Sequence, residues 1–330
     1  MQGDNFVLTD RDRVPSIFGA CCMYFMALVG QQLISIIASV LYTLLSYVVY
    51  DIDESFFTGF ASALYYFLFL LIPFIVYARR HPGISEYIRV KPLKTRHALL
   101  CAAIAVPGVL FVTYITAFWA MLIEALGGTV IDTALTIPET AGGKLGMILS
   151  NAVLPGVCEE LLFRGCMLSA WEEKGSVKAM VIVSVWFALL HASILGIPSE
   201  IISGLILAFV VLSTDSLFAG IIYHTAHNAV VLALSFESAE EETVNQMSYF
   251  EAAGGLGGCI TMFFVCAILG VMIVMLLKKL DSARKDRPFG VPQVTGEEKR
   301  LPEIIVVISC IVFAIMGYAT DILEVLGVIK

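Results

Sequence analysis

A small set of polar residues lies inside otherwise apolar stretches of this sequence, and these residues could do chemistry. They are Glu159, Glu160, Arg164, His191, His224 and Asn228. Ionisable side chains in apolar surroundings are costly, and they mark either function or mutual pairing. Carboxylates, imidazoles and a carboxamide are also the groups that serve general acid–base catalysis and oxyanion stabilisation. The set therefore predicts a buried catalytic site, with a simple ion pair between helices as the alternative for any one pair.

Helical spacing separates the roles of the two adjacent glutamates. In a helix, residues i and i+4 share a face, whereas neighbours diverge by about 100°. Glu160 and Arg164 are therefore predicted to pair, and Glu159 has no partner within its own helix. This arrangement makes Glu159 the candidate general base and the pair its support. Pro155, one turn earlier, is predicted to kink the helix.

The histidines and the asparagine come from two later segments. His224 and Asn228 are one turn apart on one helix face, and His227 flanks that face. Counted from one side of the predicted bundle, Glu159, His191 and His224 lie about 16, 21 and 12 Å deep at about 1.5 Å per residue. These depths place the three side chains in one layer. A shared layer favours a catalytic cavity over independent packing contacts.

The elements that must position these residues are predicted to be membrane helices. The 330-residue chain is 59% hydrophobic and 15% charged, with a mean hydropathy of +0.89, whereas soluble domains are about 25% charged. Long uncharged blocks of this kind predict an all-α, polytopic membrane bundle of eight to nine transmembrane helices. The predicted spans are 16–50, 56–77, 97–123, 145–170, 177–195, 199–213, 216–236, 254–277 and 303–325.

The basic residues predict the orientation of the bundle. Alternate connections (1–15, 78–96, 171–178, 214–215 and 278–302) hold 17 of the 20 Lys and Arg residues. Because this bias sets orientation, the N-terminus is predicted to be cytoplasmic. The opposite side carries an acidic group made of Glu237, Glu240, Glu241, Glu242 and Glu251. The net charge of −8 averages two unlike faces, and the expected partner is the lipid bilayer and not nucleic acid.

The chain is predicted to have three regions. Residues 1–144 form an N-terminal three-helix region with an external loop, residues 145–236 form the catalytic core, and residues 237–330 add an acidic loop, two spans and a basic linker. All eight cysteines lie in apolar spans without a Cys-x-x-Cys pair. This distribution argues against a disulfide framework or a thiolate zinc site.

Three short motifs resemble the CAAX protease and bacteriocin-processing family of intramembrane endopeptidases, also called Abi-type or CPBP. They are Glu159-Glu160-x-x-x-Arg164, Phe187-x-x-x-His191 and His224-x-x-x-Asn228, in the family's order, within residues 145–236. The resemblance implies about eight core helices and hydrolysis of a peptide bond at a buried site. It further implies that Glu159 activates water with His191, and that His224 and Asn228 stabilise the oxyanion.

The motifs leave the role of a metal open. Glu159, His191 and His224 could hold a divalent ion such as zinc and leave a position for water, or a glutamate base could act without a metal. Two imidazoles and a carboxylate in one place favour the divalent ion. His227 is an additional residue that could serve as an alternative ligand.

Two other functions remain alternatives to a protease. Buried Glu, Arg and His also build the proton relays of proton-coupled transporters, although no repeat relates two halves of this chain. A non-catalytic scaffold or regulator of the same family is the second alternative. For the protease, the expected partner is a peptide or protein substrate in the membrane, such as a prenylated C-terminus, a bacteriocin leader or a membrane-anchored regulator.

Overall fold

The computed structural model describes residues 15–48, 54–130, 137–138, 140–238, 248–281 and 300–328. Within these ranges the chain is helical and contains no strand, which confirms the predicted all-α class. Most of the predicted acidic loop and of the basic linker between the last two spans lies outside the described residues, as does most of the N-terminal segment.

Nine apolar helices of at least ten residues lie within the described ranges, and we number them in chain order. They are α1 (Ile17–Ser46), α2 (Phe57–Arg80), α3 (Thr95–Ala125), α4 (Ala141–Trp171), α5 (Ser176–Leu190), α6 (Ile197–Thr214), α7 (Leu217–Phe236), α8 (Gly255–Asp281) and α9 (Pro302–Gly317). All except α5 and α9 are long and apolar enough to cross a membrane. The expected polytopic bundle is therefore confirmed, with seven long helices and two shorter ones.

Two predicted spans end earlier than expected. Helix α5 stops at Leu190 because Ala192 adopts a left-handed backbone conformation (φ 48°) that ends the helix. His191 consequently caps the helix, and Pro198 then lies in the first turn of α6, where its missing N–H is tolerated. The ninth predicted span is interrupted after Gly317, and a short helix, Ala319–Val325, follows it.

Helix α4 carries the two glutamates and packs against α1, α2 and α7. It approaches α7 closely at Gly156, where a Cβ would lie 2.2 Å from Thr225 Oγ1 and 3.0 Å from the Thr225 amide nitrogen. Helices α5 and α6 form an antiparallel hairpin beside it, while α3 packs between α7 and α8. Only glycine permits the approach at 156, so this residue fixes the distance between the two motif-bearing helices.

Helices α2 and α4 contain π-helical turns next to the candidate residues. They span Tyr66–Leu71 in α2 and Leu149–Val153 and Leu161–Met167 in α4. Pro155 follows the first of the α4 segments and has no N–H to donate to the carbonyl four residues earlier. A widened turn thus lies just before Pro155, and such turns are frequent at functional sites.

A buried ionic cluster joins the α2–α3 connection to the ends of the motif-bearing helices. Arg89 donates to Ser169 Oγ (3.2 Å) and to the Glu172 carboxylate at the end of α4, and it lies 3.4 Å from Asp215 between α6 and α7. Arg89 and Asp215 both adopt positive φ angles, 60° and 52°, which non-glycine residues rarely do. This cluster holds the ends of α4, α6 and α7 together.

Candidate active site

Glu160 is the centre of a buried ionic network. Its Oε1 atom accepts hydrogen bonds from Arg164 Nη1 (2.8 Å) and from His224 Nδ1 (3.0 Å). Glu160 and Arg164 are fully buried, and His224 is 5% exposed. The i, i+4 pair expected from the sequence is therefore present, and the histidine of α7 joins it. The pairing also explains how α4 tolerates these charges, since buried charges need partners and hydrogen bonds.

Arg164 is held by three further contacts. Its Nη2 atom donates to the carbonyl oxygen of Gly204 on α6 (3.2 Å). Its guanidinium carbon lies 4.4 Å from the centre of the Phe187 ring, a cation–π distance, and 5.8 Å from that of Phe163. Phe187 also contacts the rings of His191 (4.8 Å) and His224 (5.8 Å). The phenylalanine of the second motif thus packs against members of all three motifs.

Glu159 is buried on a different side of α4 from this network. It is 3% exposed, and its Oε1 atom accepts a hydrogen bond from the Tyr66 hydroxyl of α2 (2.8 Å). Its Oε2 atom is buried and has no hydrogen-bond partner among the described residues. The sequence correctly separated Glu159 from Arg164, but it gave no indication of Tyr66.

His191 presents one ring nitrogen that is free of backbone contacts. The Phe187 carbonyl can only accept, so His191 Nδ1 donates to it (2.9 Å), and in the neutral imidazole Nε2 is then an acceptor. Nε2 lies 3.8 Å from Glu200 Oε2, at the start of α6. His191 can therefore accept a proton or a hydrogen bond at Nε2.

Asn228 is oriented by the Asn151 carbonyl, which lacks a helical donor because Pro155 has no N–H. Its Nδ2 atom donates to the backbone oxygen of Asn151 (3.1 Å) on the first π-helical turn of α4. Residue 151 is four positions before Pro155, so the usual helical donor to this oxygen is missing. A carboxamide nitrogen carries two hydrogens, and one of them remains available. The proline thus explains the position of the asparagine.

His227 does not join the network of Glu160, Arg164 and His224. Its ring lies 5.8 Å from that of Tyr223, and its Nδ1 atom is buried without a hydrogen-bond partner among the described residues. A Cβ at Gly108 of α3 would approach both Tyr223 and His227, at 2.7 and 3.7 Å. His227 therefore belongs to the contact between α7 and α3.

The predicted metal ligands do not form a closed cluster. Among the described residues, no three His, Cys, Asp or Glu side chains come together at a spacing that could hold a metal ion. The chemistry of the available atoms, Glu159 Oε2 and the two histidine Nε2 atoms, suits a divalent cation, but their spacing does not. We therefore derive no catalytic step through a metal from this geometry.

Sequence reasoning missed four residues that contact the predicted site. They are Tyr66, Asn151, Glu200 and Gly204. Asn151 could have been found by looking four residues before Pro155 for an orphaned carbonyl. Glu200 could have been found as an acidic residue at the start of an apolar span. No local signal identifies Tyr66 or Gly204, because both contacts depend on how distant helices pack.

The fold and the buried polar residues together define a multi-pass helical membrane protein with an internal ionic site. Residues 141–230 match the family model described as Rce1-like, type II CAAX prenyl endopeptidase Rce1-like. The resemblance found from the motifs is confirmed over this segment. No curated protein and no solved structure matches the chain.

Proposed function

We propose that this protein is an intramembrane endopeptidase in which Glu159 activates a water molecule for attack on a peptide carbonyl. One observation carries the proposal. Glu159 has a buried Oε2 atom without a hydrogen-bond partner among the described residues, and the neighbouring Glu160, not Glu159, forms the ion pairs with Arg164 and His224. A buried carboxylate with an oxygen available for water is what a general base requires.

The proposed reaction begins with proton transfer from water to Oε2 of Glu159. The resulting hydroxide forms a bond to the carbonyl carbon of the scissile peptide, and the carbonyl electrons move to its oxygen. His191 orients the water through its acceptor atom Nε2. When the tetrahedral intermediate collapses, the C–N bond breaks and Glu159 returns the proton to the leaving amine. The carboxylate is thereby regenerated.

His224 and Asn228 form the oxyanion-stabilising pair in this proposal. The remaining N–H of the Asn228 carboxamide donates to the developing oxyanion. His224 donates through Nε2 in its imidazolium form, because its Nδ1 hydrogen is already directed at Glu160. Arg164 balances the charge of the Glu160 carboxylate. Donors aimed at developing charge in a water-poor site are usually the largest catalytic contribution.

A cleavage assay on purified protein in lipid vesicles tests the proposal. The matching family is described by prenylated CAAX substrates, so the first probe is a farnesylated CAAX peptide, followed by a library of membrane-anchored peptides. Wild type is expected to cleave and Glu159→Gln to be inactive while folded. Proton-coupled uptake without cleavage would support the transporter alternative. Absence of cleavage together with partner binding that Glu159→Gln does not change would support the scaffold alternative.

Metal assistance is a separate proposal, in which Glu159, His191 and His224 close around a divalent cation when substrate binds. Its support is the donor chemistry of the three side chains. Metal analysis of the purified protein and a chelator titration test it. Loss of activity with chelator and recovery with zinc are expected if a metal takes part, whereas full activity in metal-free protein would leave the unassisted glutamate mechanism.

A further inference from the structure

Tyr66 contacts the candidate base from outside every motif and outside the family-matched segment. It lies at the start of the π-helical turn Tyr66–Leu71 of α2, and its hydroxyl donates to Glu159 Oε1 at 2.8 Å. The hydrogen bond joins residues that are 93 positions apart. No spacing argument within α4 could have suggested it.

A buried tyrosine hydroxyl usually finds some acceptor, so the contact alone could serve only to satisfy the phenol. The neighbouring residue argues against so general an explanation. Tyr65 is buried whereas Tyr66 is half-buried; the Tyr65 ring lies 5.0 Å from that of Tyr66, and its hydroxyl has no hydrogen-bond partner among the described residues. In this turn of α2 the Tyr65 hydroxyl therefore stays without a partner, whereas the Tyr66 hydroxyl donates to the Glu159 carboxylate.

The two oxygens of Glu159 also differ in their hydrogen bonding. Oε1 receives the Tyr66 hydrogen bond, whereas Oε2 has no partner among the described residues. A hydrogen bond to an ionised acceptor is short and strong, so it fixes the rotation of the carboxylate plane. Fixing one oxygen in this way determines where the other oxygen is presented.

We infer that Tyr66 is a positioning residue for catalysis: it anchors Oε1 of Glu159 and thereby presents Oε2 to the attacking water. The inference rests on the proposed function, since it presumes that Glu159 is the base. The π-helical turn contributes by widening α2 where the phenol must reach across to α4. Tyr66 itself touches no reacting atom.

The test compares Tyr66→Phe with the matched control Tyr65→Phe in the vesicle cleavage assay. Each variant removes a single buried hydroxyl from adjacent residues of one turn. Loss of a hydrogen bond to a charged group predicts a roughly 10- to 100-fold lower kcat for Tyr66→Phe. Its KM is expected to stay within about twofold, because the hydroxyl contributes to the transition state and not to substrate binding. Tyr65→Phe is expected to match wild type in both constants.

The Glu159→Gln variant separates this inference from the function on which it rests. If Glu159→Gln cleaves normally, the proposed function fails. If Glu159→Gln is inactive while Tyr66→Phe behaves like Tyr65→Phe, the role of Tyr66 is overturned. Support requires an inactive, folded Glu159→Gln variant together with a kcat loss in Tyr66→Phe that Tyr65→Phe does not show.

An isosteric replacement covers the case in which Tyr66→Phe does not fold. Fluorotyrosine incorporated at position 66 keeps the hydroxyl and its size but changes its strength as a donor. A change in kcat at constant KM, absent when fluorotyrosine replaces Tyr65, supports the inference. Equal kinetics for fluorotyrosine at both positions would contradict it.

Discussion

The two adjacent glutamates of α4 have different environments, and the difference follows from one step along a helix. Glu160 contacts Arg164 and His224 through Oε1, while its Oε2, like that of Glu159, is buried without a hydrogen-bond partner among the described residues. Glu159 points about 100° away, and its contact is with a neutral phenol. The two carboxylates thus differ in the charge of their partners. These contacts make Glu159 the candidate base and Glu160 the residue that holds Arg164 and His224 together.

Substitution of each glutamate by glutamine should give opposite results. Glu159→Gln is expected to abolish cleavage and keep the fold, since an uncharged isostere costs less to bury than a carboxylate. Glu160→Gln is expected to lower the free energy of unfolding by about 3 kcal/mol, because Arg164 and His224 lose their shared anion. Thermal unfolding in detergent and the cleavage assay measure both effects.

The double variant Glu160→Gln/Arg164→Gln serves as the control for this pair. It removes both charges, so it should be more stable than Glu160→Gln alone. An active Glu159→Gln variant beside a folded, inactive Glu160→Gln variant would reverse the assignment of the two carboxylates.

The two histidines of α7 provide a second matched comparison. His224→Gln removes the ring that Glu160 orients, and kcat is expected to fall by roughly 10²- to 10³-fold, as for other oxyanion donors. His227→Gln changes a residue in the α3 contact and is expected to keep kcat within about threefold. Equal losses in the two variants would show that helix packing, and not oxyanion stabilisation, explains the effect of His224.

At the scale of elements, the site depends on how closely α4 approaches α7. Gly156 allows this approach, and the Asn151 carbonyl on the adjacent π-helical turn receives the Asn228 side chain. The distance and the register between the two helices are thus set within six residues of α4. Both features lie one to two turns before the glutamates.

Gly156→Ala should damage both stability and activity. The new Cβ would lie 2.2 Å from Thr225 Oγ1 and 3.0 Å from its amide nitrogen, and overpacking of this kind costs about 1–3 kcal/mol. Gly146→Ala on the same helix is the control, because no atom lies within 4 Å of its Cβ position. The control is expected to unfold at or above the wild-type temperature. Retained activity in Gly156→Ala would contradict the role given to this approach.

Pro155→Ala should affect activity more than stability. The alanine N–H can donate to the Asn151 oxygen and compete with Asn228 Nδ2, so the carboxamide loses its anchor. We expect kcat to fall by about tenfold, as for loss of a single hydrogen bond, while the unfolding temperature stays the same or rises. An unchanged kcat would show that Asn228 does not need this carbonyl.

At the scale of the whole molecule, the sequence indicated what is local and periodic. Apolar block lengths predicted the helices, and i, i+4 spacing predicted the Glu160–Arg164 pair, because both depend on the chain's own geometry. The meeting of His224 with Glu160 and of Tyr66 with Glu159 depends on the packing of helices far apart in sequence. The early end of α5 depends on one left-handed residue, Ala192, which no apolar pattern records.

The orientation of the bundle remains a prediction from the Lys and Arg distribution. Gly290, in the basic linker, is expected on the cytoplasmic side, and Asn245, in the acidic loop, on the external side. Both residues lie outside the described ranges. Single cysteines at these positions, in a variant without native cysteines, can be labelled in intact cells with an impermeant reagent. Labelling at position 290 without permeabilisation would contradict the orientation.

The hydrogen bond from α2 to Glu159 has a consequence for how small an active protein can be. The homologous segment begins at residue 141, whereas the phenol that touches the candidate base lies at residue 66. A fragment trimmed to the homologous segment would keep all six candidate residues and lose this donor. The motifs alone are therefore a poor guide to the smallest active fragment. A survey that selects proteins by the motif segment would overlook the proposed contribution of Tyr66 on α2.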